Sequence, residues 1–285
     1  MEQRDAAHVS IVERMQRIDR RYIFLLMAAA VIVPTLWGLQ LPVGKTSPTV
    51  EMLHEKIESL PEGSVVMLAY DFGPSAAPEL YPMGTALLRH CFGRNIKVLG
   101  VALNFTGAPL CEMAMDETGK ELGKTAGEDY VNLGWQPGVL PVLMGMATDI
   151  PGTFKEDHSG TKMSDLPLMS RARSYDDVAL VVDLASSSSP DTWIALVGAR
   201  FEQEVAAGVT AVMGADYYPY IQSGQLVGLL GGLKGAAEYE TLIEQSGKGT
   251  TRMTAQSFAH ALIVLFVLMG NAAYAITRAR SRRGE

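Results

Sequence analysis

The sequence predicts an α/β protein: a three-layer, mainly parallel sheet domain of Rossmann-like or flavodoxin-like type, flanked by N- and C-terminal transmembrane helices. Three observations carry this. Two apolar runs of about 20 residues, Tyr22–Leu41 and Phe258–Thr277, stand near the chain ends, each long enough to cross the roughly 30 Å hydrocarbon core as a helix. Between them, short unbroken apolar runs such as Val65–Tyr70 and Val178–Leu184 read as strands buried on both faces. These runs alternate with helical patterns, which is the mark of βαβ units and a parallel sheet.

The bulk properties fit that plan. The chain of 285 residues is 48% hydrophobic with a mean hydropathy of +0.12, which suits one folded domain and two spans better than a polytopic transporter. The net charge is −7, yet residues 22–277 hold 15 basic against 26 acidic residues, a net of −11. An acidic domain argues against nucleic acid as a partner and against flat docking on anionic lipid.

Taken in order, residues 1–21 form a tail expected to be cytoplasmic. Val12, Met15 and Ile18 or Tyr22 share one helical face, with Arg14, Arg17 and Arg21 near the other, so the tail is either an interfacial helix or a solvated lead-in. Residues 22–41 read as an uncleaved anchor, because WGLQLPVGK lacks a small-x-small cleavage site, and Pro34 is a place to kink. The exoplasmic domain is expected over 42–257. Ser47 and Pro48 start a helix with an apolar stripe through Leu53 and Ile57. Helices are predicted over 77–93, 108–123 and 138–148, with strands at Lys97–Leu103 and Tyr130–Leu133. A polar, irregular insert runs from Pro151 to Asp177. After Val178–Leu184 comes a helix over Pro190–Ala206 with Ser189 as its N-cap, a last strand at Val209–Met213, and helix over much of 219–245. Residues 258–277 make the second span and 278–285 a second cytoplasmic tail. The outer tails carry nine Lys and Arg against four on the inner flanks, so both termini are expected in the cytoplasm and the domain outside, periplasmic or extracellular, at the cell (inner) membrane.

Cys91 and Cys111 offer neither metal-ligand spacing nor a CxxC motif. They fall at the end of one helix and the start of the next, at opposite edges of a parallel sheet, so no disulfide is expected.

In an open parallel sheet, ligands bind beyond the carboxyl ends of the strands. The loops there start with Asp71 and Ser75, with Asn104, with Asp183, Ser186 and Ser187, and with Asp216. Converging, the carboxylates of Asp71, Asp183 and Asp216 would suit a hard divalent cation, or a pair would act as acid and base. The serine run ahead of a helix start would suit an anion. The plainer alternative is that each Asp ends a strand or caps a helix, and that the serines form a cap loop. No cofactor motif is present: neither GxGxxG after the first strand, nor GxxxxGK[ST], nor GxSxG. The five histidines are scattered, with His158 in the insert the best placed, and spacing assembles no metal site.

Ser223–Glu240 is rich in glycine. Gly224, Gly228 and Gly232 fall at i, i+4 and i+8, with Gly231 and Gly235 on an adjacent row. On a helix these rows would allow close backbone packing, onto the sheet or against another subunit. Tyr217–Glu240, with Asp71-Phe72-Gly73-Pro74, resembles uncharacterised prokaryotic membrane proteins that carry two terminal spans and a Rossmann-like domain. The resemblance covers most of the chain and brings no assigned activity, so no functional residue is carried over.

Two functions stay open. One is a non-enzymatic subunit or scaffold of a membrane assembly, homo- or hetero-oligomeric, using the glycine rows and the spans as contacts. The other is a membrane-tethered enzyme or ligand-binding domain with a metal or anionic ligand at the strand ends.

Overall fold

The structure, a computed structural model, describes residues 19–283, with side chains to residue 278. The helical face expected on Val12, Met15 and Ile18 lies outside the described residues. The chain divides into two compact units, residues 42–250 and the two chain ends outside them.

Residues 42–250 form the α/β domain. Its strands are β1 (Val65–Asp71), β2 (Lys97–Ala102), β3 (Tyr130–Trp135), β4 (Val178–Ala185), β5 (Val205–Val209) and β6 (Leu229–Gly231). They form one all-parallel sheet in the order β3-β2-β1-β4-β5-β6. The connecting helices cover both faces, as a parallel sheet with no water-facing side requires. Helices α2 (Pro48–Ser59), α3 (Ala77–Gly93), α4 (Ala108–Leu122) and α8 (Gly232–Leu242) bury Leu53, Leu87, Met115 and Tyr239 against one face. Helices α5 (Val139–Met146), α6 (Ser189–Trp193) and α7 (Gly214–Gln222) bury Leu143, Trp193 and Tyr217 against the other. Residues of the 151–177 insert, among them Phe154 and Leu168, join that second core. Cys91 and Cys111 are both buried and free, as their placement predicts.

Two elements depart from expectation. The helix over Pro190–Ala206 stops sooner: α6 passes into a π-turn at Ile194–Gly198, and Glu202 ends the segment in the left-handed region, φ 55°. The strand expected at Val209–Met213 instead occupies Val205–Val209. Its centre is Ala206-Ala207-Gly208, which looks helical or loop-like by composition. Packing explains the small residues, because a Cβ on Gly208 would lie 2.6 Å from Leu184 Cδ2. The helix over 219–245 is likewise interrupted by β6. The glycine rows therefore do not share one helix. Gly224 makes a turn at φ 74°, Gly228 lies in a loop, Gly231 ends β6, and only Gly232 and Gly235 belong to α8. Three of them do permit close packing inside the domain. A Cβ on Gly228 would meet Leu53 at 2.5 Å, one on Gly232 would meet Ala211 at 2.7 Å, and one on Gly235 would meet the Leu230 backbone at 3.0 Å.

The domain ends in a cap made from within. Glu240 of α8 is buried, and its carboxylate accepts from the backbone N–H groups of Gly247, Gly249 and Thr250 at 2.9, 2.8 and 2.7 Å. Those groups open α9 (Lys248–Arg283), whose first N–H donors have no partner within the helix.

The other unit comprises α1 (Arg20–Leu36) and α9 beyond Thr250. Among the described residues, one helix is long and apolar enough to cross a membrane by length and composition, Lys248–Arg278. The first apolar run is helical only to Leu36, giving a helix of 17 residues against the roughly 20 a span needs. Its helix stops where Gly38 takes the left-handed region at φ 60°. Pro34, Ala255 and Ala273 are buried.

Candidate functional site

The strand order reverses between β1 and β4, and that switch point is where an open parallel sheet places a ligand crevice. Asp71 ends β1 and Asp183 lies near the end of β4. Register pairs Ala69 with Asp183 and Asp71 with Ala185, so both carboxyls project from the same face, one diagonal step apart. Both are buried, at 2% and 0% exposure.

Their partners differ, and this sets their protonation. Asp71 Oδ1 accepts from the backbone N–H of Leu103 at 2.6 Å, and Oδ2 from the indole N–H of Trp193 at 3.1 Å. Asp183 Oδ2 accepts from the Ser189 hydroxyl at 2.8 Å, while Oδ1 has no donor facing it. Burial raises both pKa values, and the Asp71 charge raises Asp183 further; Asp71 is held back by the donors it receives. Two adjacent carboxylates cannot both ionise in so dry a place. Asp71, with donors on both oxygens, is the better supported as an anion, and Asp183, raised by burial and by the Asp71 charge, is the member of the pair that favours the proton.

Trp193, which donates to Asp71, is fully buried on α6 and followed directly by the π-turn at Ile194–Gly198. Ser189 faces Asp183, so Ser188 rather than Ser189 occupies the N-cap position of α6. No signal short of three-dimensional contact points to Trp193 as the partner of Asp71.

The remaining candidates do not join them. Asp216 is exposed in the first turn of α7, and its side chain is not part of the pair. Ser75, Ser186 and Ser187 are exposed on the loops. Asn104 folds back on its own loop, where Oδ1 accepts from Thr106 N, Thr106 Oγ1 and Gly107 N at 3.1, 2.6 and 3.1 Å. Gly107 is required there, since a Cβ would sit 1.7 Å from the Tyr70 carbonyl oxygen.

No family model matches this chain, and no curated protein matches it. A solved structure it resembles is trehalose-6-phosphate synthase, OtsA, at 8% identity and a TM-score of 0.33; the match covers 89% of this chain and 48% of that one.

Around the closed pair, the carboxyl edge presents apolar side chains. Phe105 after β2 and Trp135 at the end of β3 meet edge to face with ring centroids 6.2 Å apart, at 67% and 40% exposure. Val212, on the loop after β5, is 88% exposed. Beyond β3 an open hollow of about 620 Å³ is lined by Trp135, Lys155, Glu156 and His158. His158 itself is exposed, and its backbone N–H donates to the Asn132 carbonyl at 2.9 Å.

Proposed function

We propose that this protein is a non-enzymatic subunit or scaffold of a membrane assembly, whose acidic α/β domain works by association with another membrane protein. The supporting observation is the carboxyl edge: where a ligand crevice is expected, Asp71, Asp183 and Trp193 are buried, and Phe105, Trp135 and Val212 stand exposed on the same edge. The apolar span of α9 supports a partner within reach of the bilayer. In this reading α1, with Phe24, Leu25 and Leu36 exposed, enters the same membrane, and the basic outer tails keep both termini cytoplasmic.

The test is purification in mild detergent after photo-crosslinking from Phe105, Trp135 or Val212, with the exposed Gln245 as control position. Adducts of defined mass from the edge positions alone are expected. A strictly monomeric protein with no edge-specific adduct sinks the proposal. Reporter fusions at each end test the orientation, and activity outside the cytoplasm at either terminus overturns it.

A second reading, a ligand-binding or enzymatic domain, draws on the unpaired Asp183 Oδ1 and on the π-turn behind Trp193, a feature frequent at functional sites. It requires Trp193 to open. A thermal-shift screen of divalent cations and small anions tests it, with Asp183→Asn abolishing any stabilisation found.

A further inference from the structure

Away from the carboxyl edge, three side chains that are scattered in sequence come together. His54 and Glu58 lie one turn apart on α2, on the same helical face. His90 lies near the end of α3. His54 and His90 stack with ring centroids 4.8 Å apart at an interplanar angle of 20°. The Nε2 of His90 faces Glu58 Oε1 at 2.9 Å, and one ligand atom from each of the three residues lies within 4.8 Å of the others.

We propose that His54, Glu58 and His90 form a site for a divalent transition-metal ion of the Zn²⁺ class, which staples α2 to α3. The donor set, two imidazoles and a carboxylate, is one that zinc accepts, with water filling the remaining position. The second observation is the support behind His90. It is buried, and its Nδ1 lies 2.6 Å from the hydroxyl of Tyr239 on α8. A metal-bound histidine donates its other ring N–H to an oxygen, which fixes the tautomer and the ring plane. Tyr239 supplies that oxygen.

The chemistry balances simply. In the metal-free form a proton sits between Nε2 and Glu58. The neutral ring carries that single proton, so when the ion takes the Nε2 lone pair the proton moves to Nδ1, which then donates it to the Tyr239 hydroxyl oxygen. Ligand atoms about 2.0–2.2 Å from an ion are about 3.3–3.6 Å from each other in a tetrahedral site. The widest pair must therefore close, and the half-buried His54 has room to do so. Arg94 Nη1 holds the other oxygen of Glu58 at 2.7 Å, which leaves Oε1 to the metal and tempers the affinity through its charge.

The experiment uses the full chain in detergent, purified without a polyhistidine tag, stripped with chelator and titrated with Zn²⁺ against a chromophoric competitor. One ion per chain is expected, and Co²⁺ in its place should show ligand-field absorption with nitrogen and oxygen ligands. His54→Ala and Glu58→Gln should each weaken binding by more than about 100-fold, and Tyr239→Phe by about 10–100-fold, the range for loss of an outer-shell partner. His158→Ala should leave it unchanged. Glu58 is exposed, so its variant folds even where His54→Ala does not. No uptake at micromolar Zn²⁺, or uptake unaltered by Glu58→Gln, overturns the proposal.

Discussion

Glu240 Oε2 accepts both the backbone N–H and the hydroxyl of Thr250, each at 2.7 Å, so a buried acid on one helix caps the next. The approach depends on glycine, because a Cβ on Gly249 would fall 2.9 Å from Glu240 Oε1. Glu240→Ala removes the four hydrogen bonds that the carboxylate accepts, and the expected loss is about 2–3 kcal/mol. Glu240→Gln keeps an acceptor and should cost less. Chemical unfolding in detergent measures both; equal losses would mean that the side-chain stem, not the cap, matters.

Asp183 holds a proton that the unfolded chain releases near pH 3.9. Its folded pKa is raised, so the stability it contributes is full below that value and is lost as pH rises toward the folded pKa. Asp183→Asn supplies an N–H where the proton was. The variant should match the wild type in melting temperature near pH 4 and exceed it at pH 7 to 8, with a flatter pH profile. A variant destabilised equally at every pH would assign the charge to Asp183 instead.

Asn104 is expected to serve its own loop. Asn104→Ala removes three hydrogen bonds and should cost about 1–2 kcal/mol. Asn104→Asp, which keeps the accepting oxygen, should restore most of it. Failure of the aspartate to rescue would point to a role beyond the loop.

Gly107 and Gly93 make a contrast. Gly107→Ala drives a methyl into the Tyr70 carbonyl and should cost at least about 2 kcal/mol. Gly93, the last residue of α3, has nothing within 4 Å of an added Cβ. Gly93→Ala should be neutral or stabilising by up to about 1 kcal/mol. Paired thermal melts decide; similar losses at both positions would refute the packing argument.

What the sequence makes legible follows from how local each signal is. β1, β2 and β4 are continuous apolar runs, and Gly123 marks the end of α4 in the left-handed conformation, φ 67°. Those elements need no distant partner to be recognised. β5 and β6 do. Gly208 lacks a side chain because Leu184 and Met83 press against that point of the strand, and no local pattern carries that information. The meeting of Asp71 with Asp183 follows from strand order, which the alternation of elements suggests. Trp193 over Asp71, Ser189 facing Asp183, and His54 stacked on His90 depend on rotamers and helix placement. Asp216 shares the motif of a strand-end acid but turns to solvent, which sequence position alone does not distinguish.

The central pairing of the sheet, β1 with β4, joins segments that leave the ribosome roughly a hundred residues apart. At about 5–20 residues per second, the roughly 40 residues between the end of β3 and the start of β4 leave that edge of β1 unpaired for about 2–8 s after β2 and β3 have been made. During that interval a nascent β1-β2-β3 half exposes backbone donors and acceptors beside an apolar face. The chain's own synthesis therefore sets a window in which that edge is open to wrong pairing, and slowing translation between residues 136 and 178 should widen it.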